Sequence, residues 1–163
     1  MRKPRAAAGS AAFFAVAPGV VAGVVPWLVT GWDAHSLWLP LRVLGVVVLA
    51  ASAIVLVNAF TVFVVEGLGT PAPVAPAEHL VVGGLYRFVR NPMYLAVVGA
   101  VLGQALLLGR TVLLAYAGVL AAVFAAFVRG YEEPTLRRQF GDEYETYRRA
   151  VPAWRPRLRP WRG

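Results

Sequence analysis

The chain has 163 residues, of which 59% are hydrophobic and 15% charged, and its formal net charge is +8. A soluble domain carries about 25% charged residues, so this composition excludes an ordinary water-facing surface and predicts a single membrane domain over residues 1–163. The absence of cysteine excludes disulfides, thiolate metal sites and a cysteine nucleophile. Two isolated histidines, His35 and His79, do not predict a metal site. The basic residues lie at the ends of apolar runs, which favours anionic lipid headgroups over nucleic acid.

The first apolar run covers residues 11–30 and follows a short basic segment. Ala15 to Ala17 resembles a signal-peptide cleavage site, but the apolar run continues well beyond it to a length that suits a full membrane span. We therefore predict a first transmembrane helix. Pro18 and Pro26 are expected to kink this helix, which a membrane span tolerates when neighbouring helices satisfy the freed carbonyl groups.

Three further apolar runs follow, and together they predict an all-α integral membrane protein. About four transmembrane helices are expected, at roughly residues 11–30, 40–65, 92–109 and 111–129. All but Arg42 and Arg110 of the 16 basic residues lie on the side of the N-terminus, which places both termini in the cytoplasm by the positive-inside rule. The high alanine, valine and arginine content suggests a bacterial inner membrane.

The C-terminal region carries a helical pattern of apolar residues. Leu136, Phe140, Tyr144, Tyr147 and Val151 recur at intervals of three and four, which places them on one face of a helix. The arginines of this region lie largely off that face. The pattern predicts an amphipathic cytoplasmic helix, and by itself it is consistent with a helix lying on the membrane surface.

Two polar segments interrupt the apolar pattern, GGLYRFVRNPMY at residues 83–94 and EEPTLRRQFGDEYETYRRAVP at residues 132–152. Taken singly, their features have ordinary structural explanations. Glu133 can pair with Arg137 one turn along a solvated helix end. Asn91 and Pro92 suit the start of a helix, and Arg90 can be a topology signal.

In combination, the two segments resemble the integral-membrane methyltransferases related to isoprenylcysteine carboxyl methyltransferase and the phospholipid methyltransferases. The resemblance covers residues 83–156, which it implies are the cofactor-binding catalytic region, and it implies S-adenosylmethionine as cofactor. Arg90, Asn91 and Glu133 are implied as catalytic residues. The implied cofactor-binding residues are Tyr86, Arg90, Asn91, Pro92, Tyr94, Glu132, Glu133, Tyr144 and Tyr147, with Phe140 as a further aromatic position of the tail. Many relatives have histidine where Asn91 stands, so a role for this position as a base is not expected here.

The predicted function is S-adenosylmethionine-dependent methyl transfer to a membrane lipid or small lipophilic acceptor at the cytoplasmic face. Glutamates can accept hydrogen bonds from the ribose diol or the ammonium group, arginine can clamp a carboxylate, and aromatic faces can hold a sulfonium. A carboxylate, an amine or a thiol could each be the acceptor, and acceptor selectivity is expected in the second and third spans. The alternative is a non-catalytic membrane protein of the same fold that binds a ligand or partner. A transporter is disfavoured because the spans hold almost no charge. The oligomeric state is left open.

Overall fold

The computed structural model describes residues 16–67 and 78–163, and within these residues the secondary structure is helical, without β-strands. The helices are α1 (Val16–Thr30), α2 (Leu39–Gly67), α3 (Pro92–Leu108), α4 (Thr111–Phe127) and α5 (Glu133–Ala150). A short 3₁₀ turn, Gly84–Arg87, precedes α3. The predicted helix bounds agree with these to within a few residues, and residues 11–15 of the first predicted span lie outside the described part of the chain.

Within the described residues, two helices are long and apolar enough to cross a membrane, Leu39–Glu66 and the helix that begins at Thr111. Two others, Val16–Thr30 and Pro92–Leu108, are apolar but shorter. Many large apolar side chains of these four helices are exposed, including Ile54 of α2 and Val119 of α4. Exposed apolar surface on this scale is typical of a helix that faces lipid.

The helices α2 and α3 pack with their backbones in close approach. A Cβ atom on Gly45 of α2 would lie 2.5 Å from the Leu107 backbone nitrogen, and one on Gly103 of α3 would lie 2.7 Å from the Leu49 nitrogen. Small residues allow such close contact, which is the usual means of helix association in a membrane. The start of α3 is thereby fixed beside the end of α2.

The helix α1 contains a π-helical turn, Val20–Val24, immediately before Pro26. Proline lacks the N–H that would otherwise bond the Ala22 carbonyl oxygen, and Gln104 Nε2 of α3 donates to that oxygen at 2.6 Å. The Tyr116 hydroxyl of α4 donates to the neighbouring Val21 carbonyl oxygen at 2.8 Å. The expectation that neighbouring helices satisfy the carbonyl groups freed by proline is confirmed at Pro26.

The helices α4 and α5 are continuous, which the sequence did not indicate. A π-helical turn, Val128–Glu132, joins them, and α5 is kinked at Gly141, which has φ 51° and ψ −124°. Tyr144 and Tyr147 of α5 and Val151 just after it are buried in one cluster, and Leu136 and Phe140 pack against that cluster. The chain itself covers this face, and the surface-helix interpretation does not describe it.

Candidate functional site

A glycine pair fixes the segment that carries the first polar motif. The backbone N–H of Gly83 donates to Glu66 Oε2 at 2.9 Å, and a Cβ atom on Gly83 would collide with that carboxylate. Gly84 has a φ of +50°, and a Cβ atom there would lie 2.7 Å from Val62 Cγ2. Only glycine combines this backbone conformation with so little space. The 3₁₀ turn is thereby held against the end of α2, with Tyr86 buried.

After α5 the chain forms a segment without helix or strand, residues 152–163, that we call the C-terminal strap. Its backbone runs along the first motif, because Arg90 N–H donates to Pro152 O at 3.0 Å and Trp161 N–H donates to Arg87 O at 3.0 Å. Asn91 Nδ2 also donates to Ala153 O at 3.2 Å. The side chain of Asn91 therefore contacts the strap, and it makes no capping bond to α3.

Arg90 is the central side chain of the site. Its Nη1 donates to Glu133 Oε1 at 2.7 Å and to the Tyr144 hydroxyl at 2.8 Å, and its Nε donates to the Val151 carbonyl oxygen at 2.9 Å. The side chains of Arg90 and Glu133 are only 11% and 15% exposed. The ion pair of Glu133 with Arg137 that the sequence allowed is not formed, since Arg137 pairs with Glu145 at 2.8 Å. Arg90 joins the start of α3 to both halves of α5.

The two glutamates have different partners because the side chains of adjacent residues in a helix point in different directions. The Tyr94 hydroxyl of α3 donates to Glu132 Oε2 at 3.1 Å, whereas Glu133 receives Arg90. The apolar run of α4 ends before Arg129, so Glu132 lies beyond that run. Burial raises the pKa of the Glu132 carboxyl above its usual range; the Tyr94 hydrogen bond and the Arg90 charge oppose this increase, and the Glu133 charge adds to it.

Tyrosines close the side of the site that faces the strap. The Tyr147 hydroxyl donates to the Tyr86 carbonyl oxygen at 2.7 Å, and the Tyr147 ring lies 5.4 Å from the ring of Trp161. Burial raises the pKa of both Tyr86 and Tyr147 well above the usual tyrosine value. Both hydroxyls are therefore neutral at physiological pH, and that of Tyr147 acts as a hydrogen-bond donor.

Among the described residues, two cavities meet at this site. One, of about 200 Å³, lies under α5 and is lined by both glutamates, Arg90 and several tyrosines. The other, of about 380 Å³, is mainly apolar and lies between α1, α2, α3 and α4. The residues that line both cavities are Phe63, Tyr86, Arg90, Asn91, Tyr94, Phe127 and Glu132. We call the first the polar cavity, because it holds both glutamates and Arg90 amid apolar side chains, and the second the apolar cavity; the two share one wall.

The structure brings the residues implied by the resemblance into one place. The polar cavity is lined by Tyr86, Arg90, Asn91, Tyr94, Glu132, Glu133, Phe140, Tyr144 and Tyr147, and Pro92 lines the apolar cavity. Their roles remain predictions. Sequence reasoning missed His79 and Gln139 in the polar cavity, because an isolated polar residue carries no pattern.

The walls of the apolar cavity extend beyond the second and third spans in which selectivity was expected. They include Val21 of α1, Phe60 and Phe63 of α2, and Phe124 and Phe127 of α4. The two phenylalanine pairs recur at a spacing of three residues, which places each pair on one face of its helix. Such spacing could have indicated a cavity wall, but in an apolar span the same spacing also occurs where a helix faces lipid.

A comparison with known families gives one match. The model of a family described as phospholipid methyltransferase matches residues 40–143, which is more than half of the chain. No curated protein and no solved structure matches the chain significantly. The matched region begins at α2 and ends within α5, so α1 and the C-terminal strap lie outside it.

Proposed function

The chain belongs to the phospholipid methyltransferase family, and from this premise we propose that it transfers a methyl group from S-adenosylmethionine to a lipid or small lipophilic acceptor. Family membership indicates a methyltransferase that acts on lipid-type substrates, and the apolar helices indicate a membrane protein. The observation that supports the finer proposal is the junction of a polar and an apolar cavity at Tyr94 and Glu132. A reaction between a charged cofactor and a lipophilic acceptor requires such a junction.

The residues of the polar cavity fit the chemistry of S-adenosylmethionine. When bound, this cofactor would supply a methyl group on a sulfonium: a nucleophile bonds to the methyl carbon, and the sulfur leaves with the electron pair of the C–S bond as a neutral thioether. The carboxylates of Glu132 and Glu133 can accept hydrogen bonds from its ammonium group or ribose diol, and Tyr86 and Phe140 offer aromatic faces for the adenine or the sulfonium. Arg90 uses Nε and Nη1 for Val151, Glu133 and Tyr144. Its main contribution is therefore to orient Glu133.

The apolar cavity is the proposed acceptor site. We propose that α1, α2, α3 and α4 all cross the bilayer, with both termini in the cytoplasm of a bacterial cell, so that this cavity lies at membrane depth. An acceptor that enters from the bilayer would bring its reactive group to Tyr94 and Asn91, where the two cavities meet. Displacement at a methyl group depends mainly on the alignment of nucleophile, methyl carbon and sulfur. The fixed positions of Arg90 and Tyr94 serve that alignment.

Binding of S-adenosylmethionine to the detergent-purified protein, measured by calorimetry, tests the cofactor assignment. In Glu133→Gln the partner of Arg90 loses its charge, and we expect cofactor affinity to fall by about a hundredfold, as for a lost hydrogen bond to a charged group. The matched control is Glu145→Gln, because Glu145 pairs with Arg137 and Arg148 on α5 and lines neither cavity. This control is expected to bind like the unmodified protein.

Product formation separates the enzyme from a non-catalytic relative. Radiolabelled S-adenosylmethionine, incubated at a subsaturating concentration with the protein in a lipid extract, should yield a labelled lipophilic product, and Glu133→Gln should yield about a hundredfold less. Cofactor binding without any labelled product would instead support a non-catalytic binding protein. Absence of binding in folded protein, or full activity of Glu133→Gln, would refute the proposed site.

A further inference from the structure

The C-terminal strap is a strongly cationic segment without internal compensation. Residues 152–163 contain four arginines and no acidic residue. The side-chain ion pairs in the described residues involve Arg90, Arg110, Arg137 and Arg148, so none of them includes a strap arginine. Arg155, Arg159 and Arg162 are exposed. Arg157 has an enclosed Nη1 without a hydrogen-bond partner.

The strap also carries an exposed apolar side chain and two indoles. Leu158 is 99% exposed and stands between two arginines. Trp154 lies 6.5 Å from the ring of Tyr94 in the first turn of α3, and Trp161 lies against Tyr147. Tryptophans of this kind typically lie at the membrane interface. Because Tyr94 is at the start of an apolar helix, the strap lies at the level where that helix would leave the bilayer.

We propose that the C-terminal strap docks on an anionic phospholipid surface, with its exposed arginines on lipid phosphates and Leu158 inserted between headgroups. Basic residues next to an interfacial leucine fit an anionic bilayer, since the charge attracts the headgroups and the apolar side chain leaves water. A nucleic acid would also attract the charge, but it would leave Leu158 exposed.

Docking of the strap would affect the side chains of the polar cavity, because three hydrogen bonds connect the two. The carbonyl oxygen of Pro152 accepts from the Arg90 N–H, that of Ala153 accepts from Asn91 Nδ2, and that of Val151, just before the strap, accepts from Arg90 Nε. A strap held by the bilayer keeps Arg90 and Asn91 in place, which should tighten cofactor binding. The proposed lipid contact does not depend on the proposed function, whereas the proposed effect on cofactor affinity rests on it.

The test uses the full chain in nanodiscs of phosphatidylcholine, with or without phosphatidylglycerol. Hydrogen exchange of the strap amides should slow with phosphatidylglycerol, and affinity for S-adenosylmethionine should rise by about fivefold, the low end of typical coupling between sites. The triple variant Arg155→Gln, Arg159→Gln, Arg162→Gln should lose both effects and keep the affinity measured in phosphatidylcholine. The control Arg129→Gln, Arg138→Gln, Arg149→Gln removes equal charge from exposed positions outside the strap and should retain both effects.

The outcomes are separable. Equal strap exchange in both nanodiscs, or loss of the slowing in both triple variants, would overturn the docking proposal. Slowing by inorganic phosphate or by RNA in phosphatidylcholine alone would also overturn it, in favour of a soluble anion. If no sample bound S-adenosylmethionine, the proposed function would fail, and the exchange measurement would still decide whether the strap docks.

Discussion

At the residue scale, Arg90 shows why the site needs a guanidinium group. Its Nη1 and Nε reach a carboxylate, a hydroxyl and a backbone carbonyl at the same time, all within 2.9 Å. A planar group with several fixed donors can do this, whereas the single ammonium of lysine cannot match the geometry. Charged side chains this deeply buried are destabilising unless they are paired and hydrogen-bonded. Neither Arg90 nor Glu133 could therefore be buried at this position without a large loss of stability if its partner were absent.

Glu132 leads to a prediction of pH-dependent cofactor binding. Its raised pKa means that the folded protein holds this proton more tightly than the unfolded chain. The tighter proton binding therefore stabilises the folded protein fully at a pH below the unfolded-state pKa of Glu132. This stabilisation is lost as the pH rises through the higher folded-state pKa. A cofactor ammonium or diol makes a stronger hydrogen bond to the ionised carboxylate, so we expect affinity for S-adenosylmethionine to fall as the pH drops through that raised pKa.

Calorimetry over a pH series measures this dependence, and Glu132→Gln is the matched variant because it keeps the shape and removes the titration. In Glu132→Gln the affinity should be weaker and nearly independent of pH across the mildly acidic range. A pH dependence that survives unchanged in this variant would assign the titration to another group.

At the scale of the elements, α1 forms one wall of the apolar cavity although it lies outside the family match. Ala17, Pro18 and Val21 line that cavity, and Gln104 and Tyr116 hold the π-helical turn beside them. We expect Val21→Trp to fill part of the cavity and to lower kcat/KM for the acceptor by about tenfold or more, which is the scale of steric discrimination in an apolar pocket. Cofactor affinity should not change.

The control for this substitution lies one turn further along α1. Val24 is 45% exposed and does not line the cavity, so Val24→Trp introduces the same side chain on α1 outside the cavity. Steady-state kinetics with a lipid-extract acceptor, together with cofactor calorimetry, separate the two variants. Equal activity of Val21→Trp and the unmodified protein would show that α1 does not limit the acceptor.

The helices were predictable from sequence, and the contacts between them were not. Long apolar runs bounded by Pro40, Pro92 and Gly109 fix the helix bounds to within a few residues, because the membrane requires such length and the boundary residues end or begin helices. Arg90 and Glu133 are 43 residues apart in the sequence, and a local sequence pattern cannot predict a contact between positions so far apart. Local reasoning instead offered Arg137 as the partner of Glu133. The C-terminal strap lacks periodicity, so only the structure shows its path.

At the scale of the whole molecule, the distribution of charge between the two cavities predicts the chemical class of acceptor. Glu132 and the Tyr94 hydroxyl stand at the junction, and the nearby Arg90 is bonded to Glu133 and Val151. A carboxylate acceptor would meet a like charge there, and the closest cation, Arg90, is already paired with Glu133. An amine acceptor would meet a carboxylate that can hold its ammonium form and take its proton, since a carboxyl with a raised pKa is the better base.

We therefore expect a lipid amine to be methylated at least about tenfold faster than a lipid carboxylate of equal chain length, since opposed like charges cost several kcal/mol. Transfer of radiolabel from S-adenosylmethionine to a paired set, an aminolipid and a prenylated carboxylate, measures this ratio. Glu132→Gln should reduce the ratio, because the amide neither repels an anion nor accepts a proton from an ammonium. Faster methylation of the carboxylate by the unmodified protein would mean that an arginine, and not Glu132, faces the reacting group. The position of Arg90, with Nε and Nη1 directed at Val151, Glu133 and Tyr144, argues against that arrangement.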